Sequence, residues 1–154
     1  MTPEPLTEAD DATLAALTDL CMRSKAYWGY DDAFMAACAD VLRVTRDDLK
    51  HPVAVVRDGS TFAGMAQVRL NGDEADLAKL FVSPDHMGRG VGTALIGWAK
   101  AQACDAGVST LRVESDPDAE AFYLSHGAHR IGHTPSEAIP ERMLPLLSLP
   151  SGLT

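Results

Sequence analysis

The chain has 154 residues, of which 46% are hydrophobic and 23% charged, with a formal net charge of −9 and an isoelectric point of about 4.8. These values predict one globular domain over residues 1–154, and the negative charge argues against nucleic acid or an anionic membrane as a partner. No apolar run approaches about 18 residues, and the acidic N-terminus does not resemble a secretory signal, so we expect a cytoplasmic location.

The N-terminal third predicts two helices. Thr7, followed by acidic residues, is typical of an N-cap for a first helix that ends near Lys25. Asp31 is expected to cap the second helix, and residues 45–48 favour a further helical turn. The connection between the two helices is rich in aromatic residues.

The pattern then changes from helix to strand. Residues 53–56 and the largely apolar residues 62–70 flank an Asp-Gly turn, which indicates a β-hairpin. A second turn, at residues 71–73, leads into a further strand over residues 75–82.

Three glycines at alternate positions, Gly88, Gly90 and Gly92, follow this strand and precede a helix predicted to run to Asp105. The first turn of a helix has unpaired N–H groups and partial positive charge, and glycine lets a bulky anion approach the backbone. The order of strand, glycine loop and helix therefore predicts a phosphate-binding loop, in which Arg89 adds a forked donor. The alternative is a glycine-rich turn that binds nothing.

The remaining elements predict a mixed sheet. A strand over residues 110–114 precedes a helix over residues 117–126, which Asp116 can cap, and strands follow at residues 129–133 and 143–147. Helices, an antiparallel meander and a β-α-β-α-β series together predict an α+β fold with helices on both faces of the sheet.

The spacing of the glycines indicates which known phosphate-binding motif the loop resembles. The dinucleotide fingerprint requires glycine at position 93, which is Thr93, and the nucleotide P-loop requires a Gly-Lys pair that is missing. Residues 87–92, MGRGVG, resemble the Q/R-x-x-G-x-G/A signature of the GNAT acetyltransferases, with Met87 at the first position. Residues 116–127, DPDAEAFYLSHG, resemble a later motif of the same family.

The resemblance implies a GNAT-like, mostly antiparallel sheet of about six to seven strands, with acetyl-CoA as co-substrate. It also implies a set of coenzyme-binding positions. These are Leu80, Phe81, Val82, Met87, Gly88, Arg89, Gly90, Val91, Gly92, Thr93, Asp116, Phe122 and Tyr123.

Three residues are the candidates for catalysis. By resemblance, Tyr123 protonates the departing thiolate, the Val82 amide supports the oxyanion, and Asp76 is a candidate general base. Alternation along the strand predicts that Asp76 and Val82 face the same way. The alternatives are that Tyr123 and Val82 only pack the core, and that Asp76 belongs to a solvated acidic turn.

Tyr27, Trp28 and Tyr30 lie in the connection that covers the acceptor site in this family, although a local hydrophobic plug explains them equally well. The expected activity is direct acetyl transfer to a primary amine of a small molecule in a ternary complex, with an amine of a protein or peptide as the alternative acceptor. A non-catalytic acyl-CoA-binding module and a protein-interaction domain are the alternatives. The histidines match no zinc pattern, so no metal is expected, and edge strands near the C-terminus leave a homodimer open.

Overall fold

A seven-stranded sheet runs through the computed structural model, which describes residues 1–153. The strands within this range are β1 (Glu4–Pro5), β2 (Val53–Asp58), β3 (Thr61–Asn71), β4 (Glu74–Val82), β5 (Thr110–Glu114), β6 (His129–Pro135) and β7 (Met143–Pro150). The α-helices in it are α1 (Asp11–Ala26), α2 (Asp32–Leu42), α3 (Val91–Asp105) and α4 (Glu120–Ser125). Short 3-10 turns cover Arg46–Lys50, Pro84–His86 and Pro117–Ala119.

The strand order is β1-β2-β3-β4-β5-β7-β6, and β4 and β5 form the parallel pair in an otherwise antiparallel sheet. This arrangement confirms the predicted mixed sheet. One edge of the sheet is β6, whereas the last strand of the chain, β7, lies between β5 and β6.

Helices cover both faces of the sheet, as predicted. One face packs on α1 and α2 through a cluster that includes Leu17, Leu20, Cys38, Val55 and Met65. The other face packs on α3 and α4 through clusters that include Leu95, Ile96, Ala99, Leu111, Leu147 and Tyr123. Burial of these side chains stabilises the layered arrangement.

Local capping signals predict one helix start correctly and miss another. Asp31 caps α2, and its carboxylate accepts the Phe34 N–H at 2.8 Å. The prediction that Thr7 caps α1 is wrong, because Asp10 occupies that position and accepts the Thr13 N–H at 2.8 Å. Glu4 and Pro5, which precede this cap, form the short edge strand β1 beside β2.

A bulge in β4 shapes the centre of the sheet. Lys79 lies opposite Gln67 but Leu77 lies opposite Val68, so Ala78 is an extra residue on β4. The β4–β5 register consists of the pair Asp76 and Arg112, which precedes the bulge. Beyond the bulge β4 stays paired with β3 but separates from β5. The two strands therefore diverge towards their C-terminal ends.

Within residues 1–153, the helices fall short of the length and apolar content that a bilayer crossing demands. The same part of the chain shows no group of three or more histidine, cysteine or acidic side chains suited to a metal ion.

Candidate active site

Backbone amides without partners line the loop between β4 and α3. Across residues 1–153, no hydrogen bond of normal geometry uses the N–H groups of residues 87–93. The first backbone hydrogen bond of α3 runs from the Ala94 N–H to the Gly90 carbonyl at 3.0 Å. The N–H groups before Ala94 therefore have no partner within the helix and remain open to a ligand. Such a row of donors at the N-terminus of a helix attracts an anion.

Two properties of glycine produce this loop. Gly88 and Gly90 have φ values of 77° and 83°, in the left-handed region that costs other residues about 1–2 kcal/mol. Gly92 has no such φ, but a β-carbon there would lie 3.0 Å from Cζ of Phe122. The absence of side chains at these positions leaves the loop backbone accessible.

The loop is anchored on its N-terminal side and exposed along its length. His86 is buried, and its Nε2 lies 2.8 Å from Oδ2 of Asp58 in the β2–β3 hairpin. Arg89 is exposed and has no ion-pair partner among residues 1–153. The structure therefore holds the start of the loop and leaves one cation free beside the open amides.

The first turn of α3 also contacts the end of α4. The Phe122 carbonyl lies 2.8 Å from Nδ1 of His126 and can only accept, so Nδ1 carries a proton. The Thr93 hydroxyl lies 3.1 Å from Nε2 of the same ring and is hydrogen-bonded to it. The hydroxyl of Thr93 is thus engaged within the protein, and its N–H remains for a ligand. The sequence gives no signal of this contact.

The diverging edge of β4 carries a second set of amides. The Ser83 N–H donates to the Ala63 carbonyl of β3 at 2.8 Å. Because N–H groups alternate sides along a strand, the amides of Leu80 and Val82 point the other way, towards the gap before β5. The β4–β5 register does not extend to these residues. Their N–H groups can therefore pair with an extended ligand in the gap.

Tyr123 lies on α4 with 7% of its surface exposed, inside the cluster on the α3 face. Its hydroxyl has no hydrogen-bond partner within residues 1–153. Burial, reinforced by the carboxylate of Asp116, raises the pKa of Tyr123 well above its usual value. The side chain therefore remains a protonated hydroxyl with an unused donor.

The prediction that Asp76 faces the same way as Val82 is wrong. Leu77, next to Asp76, packs in the cluster on the α3 face, and so does Val82 beyond the bulge. The extra residue Ala78 reverses the alternation, so Asp76 points to the opposite face. It also lies six residues from Val82, or about 20 Å along the strand.

The aromatic connection between α1 and α2 divides into two parts. Tyr27 and Trp28 are 57% and 44% exposed, with their ring centroids 5.2 Å apart in an edge-to-face arrangement. Tyr30 instead turns inward, and its hydroxyl donates to Asp116 at 2.8 Å. The structure thus separates Tyr30 from its two neighbours.

Two basic residues that the sequence patterns do not identify complete this arrangement. Lys25 Nζ lies 2.5 Å from Asp116 Oδ2, and Arg142 Nη2 donates to the Tyr30 hydroxyl at 2.8 Å. Both partners are distant in sequence, so no local pattern reveals them.

Comparison with known proteins places this geometry in a family. Residues 50–127 match the model described as an acetyltransferase (GNAT) domain. A comparison with curated protein sequences gives no significant match.

Solved structures of similar fold cover almost the whole chain. A GCN5-related N-acetyltransferase from Rhodopseudomonas palustris has a TM-score of 0.76 and 19% identity, over 97% of this chain and 94% of that one. The PaiA N-acetyltransferase of Thermoplasma acidophilum, crystallised with coenzyme A, has a TM-score of 0.77 and 13% identity, over 97% and 99%. The ribosomal-protein-S18-alanine N-acetyltransferase of Escherichia coli has a TM-score of 0.68 and 21% identity, over 99% and 95%.

The region that matches the family model is just over half of the chain and contains both the glycine loop and α4. The chain therefore belongs to the GNAT family of acetyltransferases, enzymes that use acetyl-CoA as co-substrate.

Proposed function

We propose that this chain transfers an acetyl group from acetyl-CoA directly to a primary amine of a small molecule, with both substrates bound together. The observation that carries the proposal is the row of open amides at residues 87–93, next to the diverging edge of β4. An anionic pyrophosphate suits the first feature and an extended amide-bearing arm suits the second.

The loop offers two kinds of hydrogen-bond donor to a phosphate: backbone N–H groups and the Arg89 guanidinium. The N–H groups of Gly88, Gly90 and Thr93 are available to phosphate oxygens, and Arg89 adds a planar cation. This local arrangement matters because the protein as a whole carries a net charge of −9 and would repel an anionic coenzyme. Met87, where the family pattern has Gln or Arg, contributes its backbone amide only.

Bound acetyl-CoA would supply a thioester whose acyl carbon forms a bond with the amine nitrogen as the carbon–sulfur bond breaks. In the proposed reaction, the Val82 N–H donates to the acyl oxygen as that oxygen gains negative charge. The Tyr123 hydroxyl gives its proton to the departing sulfur. Phe122, packed under Gly92, lines the groove between these two groups.

An acceptor amine would pass its proton to solvent water. Asp76 is left out of the proposed catalytic set because it lies on the other face of the sheet and about 20 Å along β4 from Val82. The exposed ring pair of Tyr27 and Trp28 is the proposed contact surface for the acceptor. Aromatic faces of this kind attract cationic amines.

The test is an assay of thiol release from acetyl-CoA with separate panels of small primary amines and of peptides with a free N-terminal alanine. The peptide arm is included because one structural relative is named for acetylating such a terminus. Mass spectrometry of the acceptor identifies the acetylated nitrogen. The proposal predicts turnover with small amines. Tight acetyl-CoA binding without turnover on either panel would instead indicate an acyl-CoA-binding module. If acetyl-CoA does not raise the melting temperature, the coenzyme site itself is refuted.

A further inference from the structure

Four side chains from separate parts of the chain meet beside α4. Lys25 comes from the end of α1, Tyr30 from the α1–α2 connection, Asp116 from the turn after β5, and Arg142 from the β6–β7 connection. Asp116 Oδ2 lies 2.5 Å from Lys25 Nζ, 2.8 Å from the Tyr30 hydroxyl and 3.8 Å from Arg142 Nη2. We call these four residues the Asp116 cluster.

Aromatic stacking fixes the geometry of the two cations. The rings of Tyr30 and Phe34 stack with centroids 4.0 Å apart and planes at 16°. Lys25 Nζ lies 5.2 Å from the Tyr30 centroid, and the Arg142 guanidinium carbon lies 4.9 Å from the Phe34 centroid. Cations at such distances are attracted to the ring faces. The cluster is therefore held by stacking as well as by charge.

The ion pair at its centre is sheltered from water. The side chains of Lys25 and Asp116 are 15% and 13% exposed. Burial alone would raise the pKa of Asp116, but hydrogen bonds from Lys25, the Asp118 N–H and the Tyr30 hydroxyl, together with the charge of Lys25, lower it. A sheltered ion pair is weak evidence for stability alone, and its best-attested role is to select one arrangement of the surrounding elements.

Both carboxylate oxygens of Asp116 accept hydrogen bonds from within the protein. Oδ1 accepts the Asp118 N–H at 2.9 Å and Oδ2 accepts from Lys25 and Tyr30. The Tyr30 hydroxyl donates to Asp116 and accepts from Arg142. Its single proton is therefore committed, and both carboxylate oxygens of Asp116 already have partners within the protein.

We propose that Asp116 is a positioning residue for the acceptor side of the site and that it does not bind the coenzyme. Its ion pair with Lys25 and its hydrogen bond from Tyr30 hold the α1–α2 connection against the turn that leads into α4. We call this set of contacts the lock. The connection so held carries the exposed pair Tyr27 and Trp28. This inference rests on the proposed acetyl transfer only for its kinetic consequence, since the lock itself is a property of the free protein.

Replacement by asparagine separates this role from helix capping. Asp116 accepts the Asp118 N–H at the start of the 3-10 turn, and asparagine caps such turns as well as aspartate does. Asparagine cannot neutralise Lys25, however. Asp116→Asn therefore removes the lock and keeps the cap, and Lys25→Met removes the same ion pair from the other side.

The experiment measures hydrogen exchange by mass spectrometry, acetyl-CoA affinity by calorimetry, and the two Michaelis constants with the best amine from the panel. For Asp116→Asn we expect exchange in residues 26–31 to rise about tenfold, as loss of a charge-assisted hydrogen bond implies, with the central strands unchanged. The KM for the amine should rise about tenfold, with the KM and the dissociation constant for acetyl-CoA unchanged. The double variant Lys25→Met/Asp116→Asn should be no worse than either single variant.

Three results would overturn the lock: exchange that is unchanged in residues 26–31, exchange that rises uniformly over the chain, or a marked loss of acetyl-CoA affinity in Asp116→Asn. The last result would make Asp116 a coenzyme ligand. If the wild-type protein acetylates no amine, the proposed acceptor chemistry fails, but the exchange and calorimetry data still decide whether the lock exists.

Discussion

Gly92 and Phe122 are in direct contact and join the two sequence motifs of the site. A β-carbon on Gly92 would lie 3.0 Å from Cζ and 3.2 Å from Cε1 of the Phe122 ring, and 3.7 Å from Cγ2 of Val82. The first turn of α3, the end of β4 and α4 therefore pack at one point. The φ of Gly92 lies outside the left-handed region, so backbone conformation does not call for glycine at this position. The reason for glycine is the space that the Phe122 ring occupies.

A larger residue at position 92 should destabilise the protein through this contact. For Gly92→Val we expect the free energy of unfolding to fall by about 1–3 kcal/mol, the usual cost of overpacking. Urea unfolding measures this loss. Gly97 lies on an exposed part of the same helix, and a β-carbon added there would have no neighbouring atom within 4 Å.

Gly97→Val is therefore the matched control and should not lower stability, because glycine is the poorer helix former. Removal of the ring by Phe122→Ala should make room for valine, so the double variant Gly92→Val/Phe122→Ala should lose less than the sum of the singles. Strict additivity would contradict the contact.

Replacement of Tyr123 by phenylalanine should remove the proton donor and leave the packing intact. We expect turnover to fall by about a hundredfold, a usual contribution of a positioned acid, with acetyl-CoA affinity unchanged. Burial raises the pKa of Tyr123, so in the wild-type enzyme its ionisation should cause no loss of turnover between about pH 8 and about pH 10. Steady-state kinetics across this range checks both points, and unchanged turnover in Tyr123→Phe would remove the assigned role.

The local parts of this site can be predicted from the sequence, and the tertiary parts cannot. Glycine spacing and the cap at Asp31 depend on short-range sterics and hydrogen bonds, which sequence patterns encode directly. Strand alternation mispredicts the orientation of Asp76 because the bulge at Ala78 leaves no mark in a strand whose residues are mostly apolar. The partner of Asp116 escapes prediction because Lys25 lies 91 residues away in the chain.

The Asp116–Lys25 ion pair should make part of the free energy of unfolding depend on pH. Because the pKa of Asp116 is lowered in the folded state from the ordinary value of 3.8, its contribution is fully present at pH 7. The contribution declines as the pH falls below 3.8 and is lost below the lowered folded pKa.

Urea unfolding of wild type and Asp116→Asn at several pH values tests this dependence. The difference between the two proteins should be largest near neutral pH and should shrink in acid. Glu8→Gln is the control, because Glu8 is exposed and makes no ion pair within residues 1–153. A difference that does not change with pH would contradict the ion pair.

Alkylation should distinguish direct transfer from an acyl-cysteine route. Cys21 and Cys38 are buried, and burial raises the pKa of the Cys21 thiol to about 12. Cys104 is partly exposed and should react first with iodoacetamide in the native protein. Peptide mapping locates the label.

Full labelling of Cys104 should leave acetyl transfer unchanged, because this residue lies near the far end of α3 from the glycine loop. Cys104→Ser should resist rapid labelling and retain activity. Detection of an acetylated cysteine during turnover would contradict direct transfer.

A crystal structure of the protein with acetyl-CoA would show where the pyrophosphate binds. We expect its oxygens to accept hydrogen bonds from amides within residues 87–93, with the thioester sulfur within reach of the Tyr123 hydroxyl. A coenzyme bound away from this loop, or a loop whose amides are paired within the protein in the complex, would contradict this expectation.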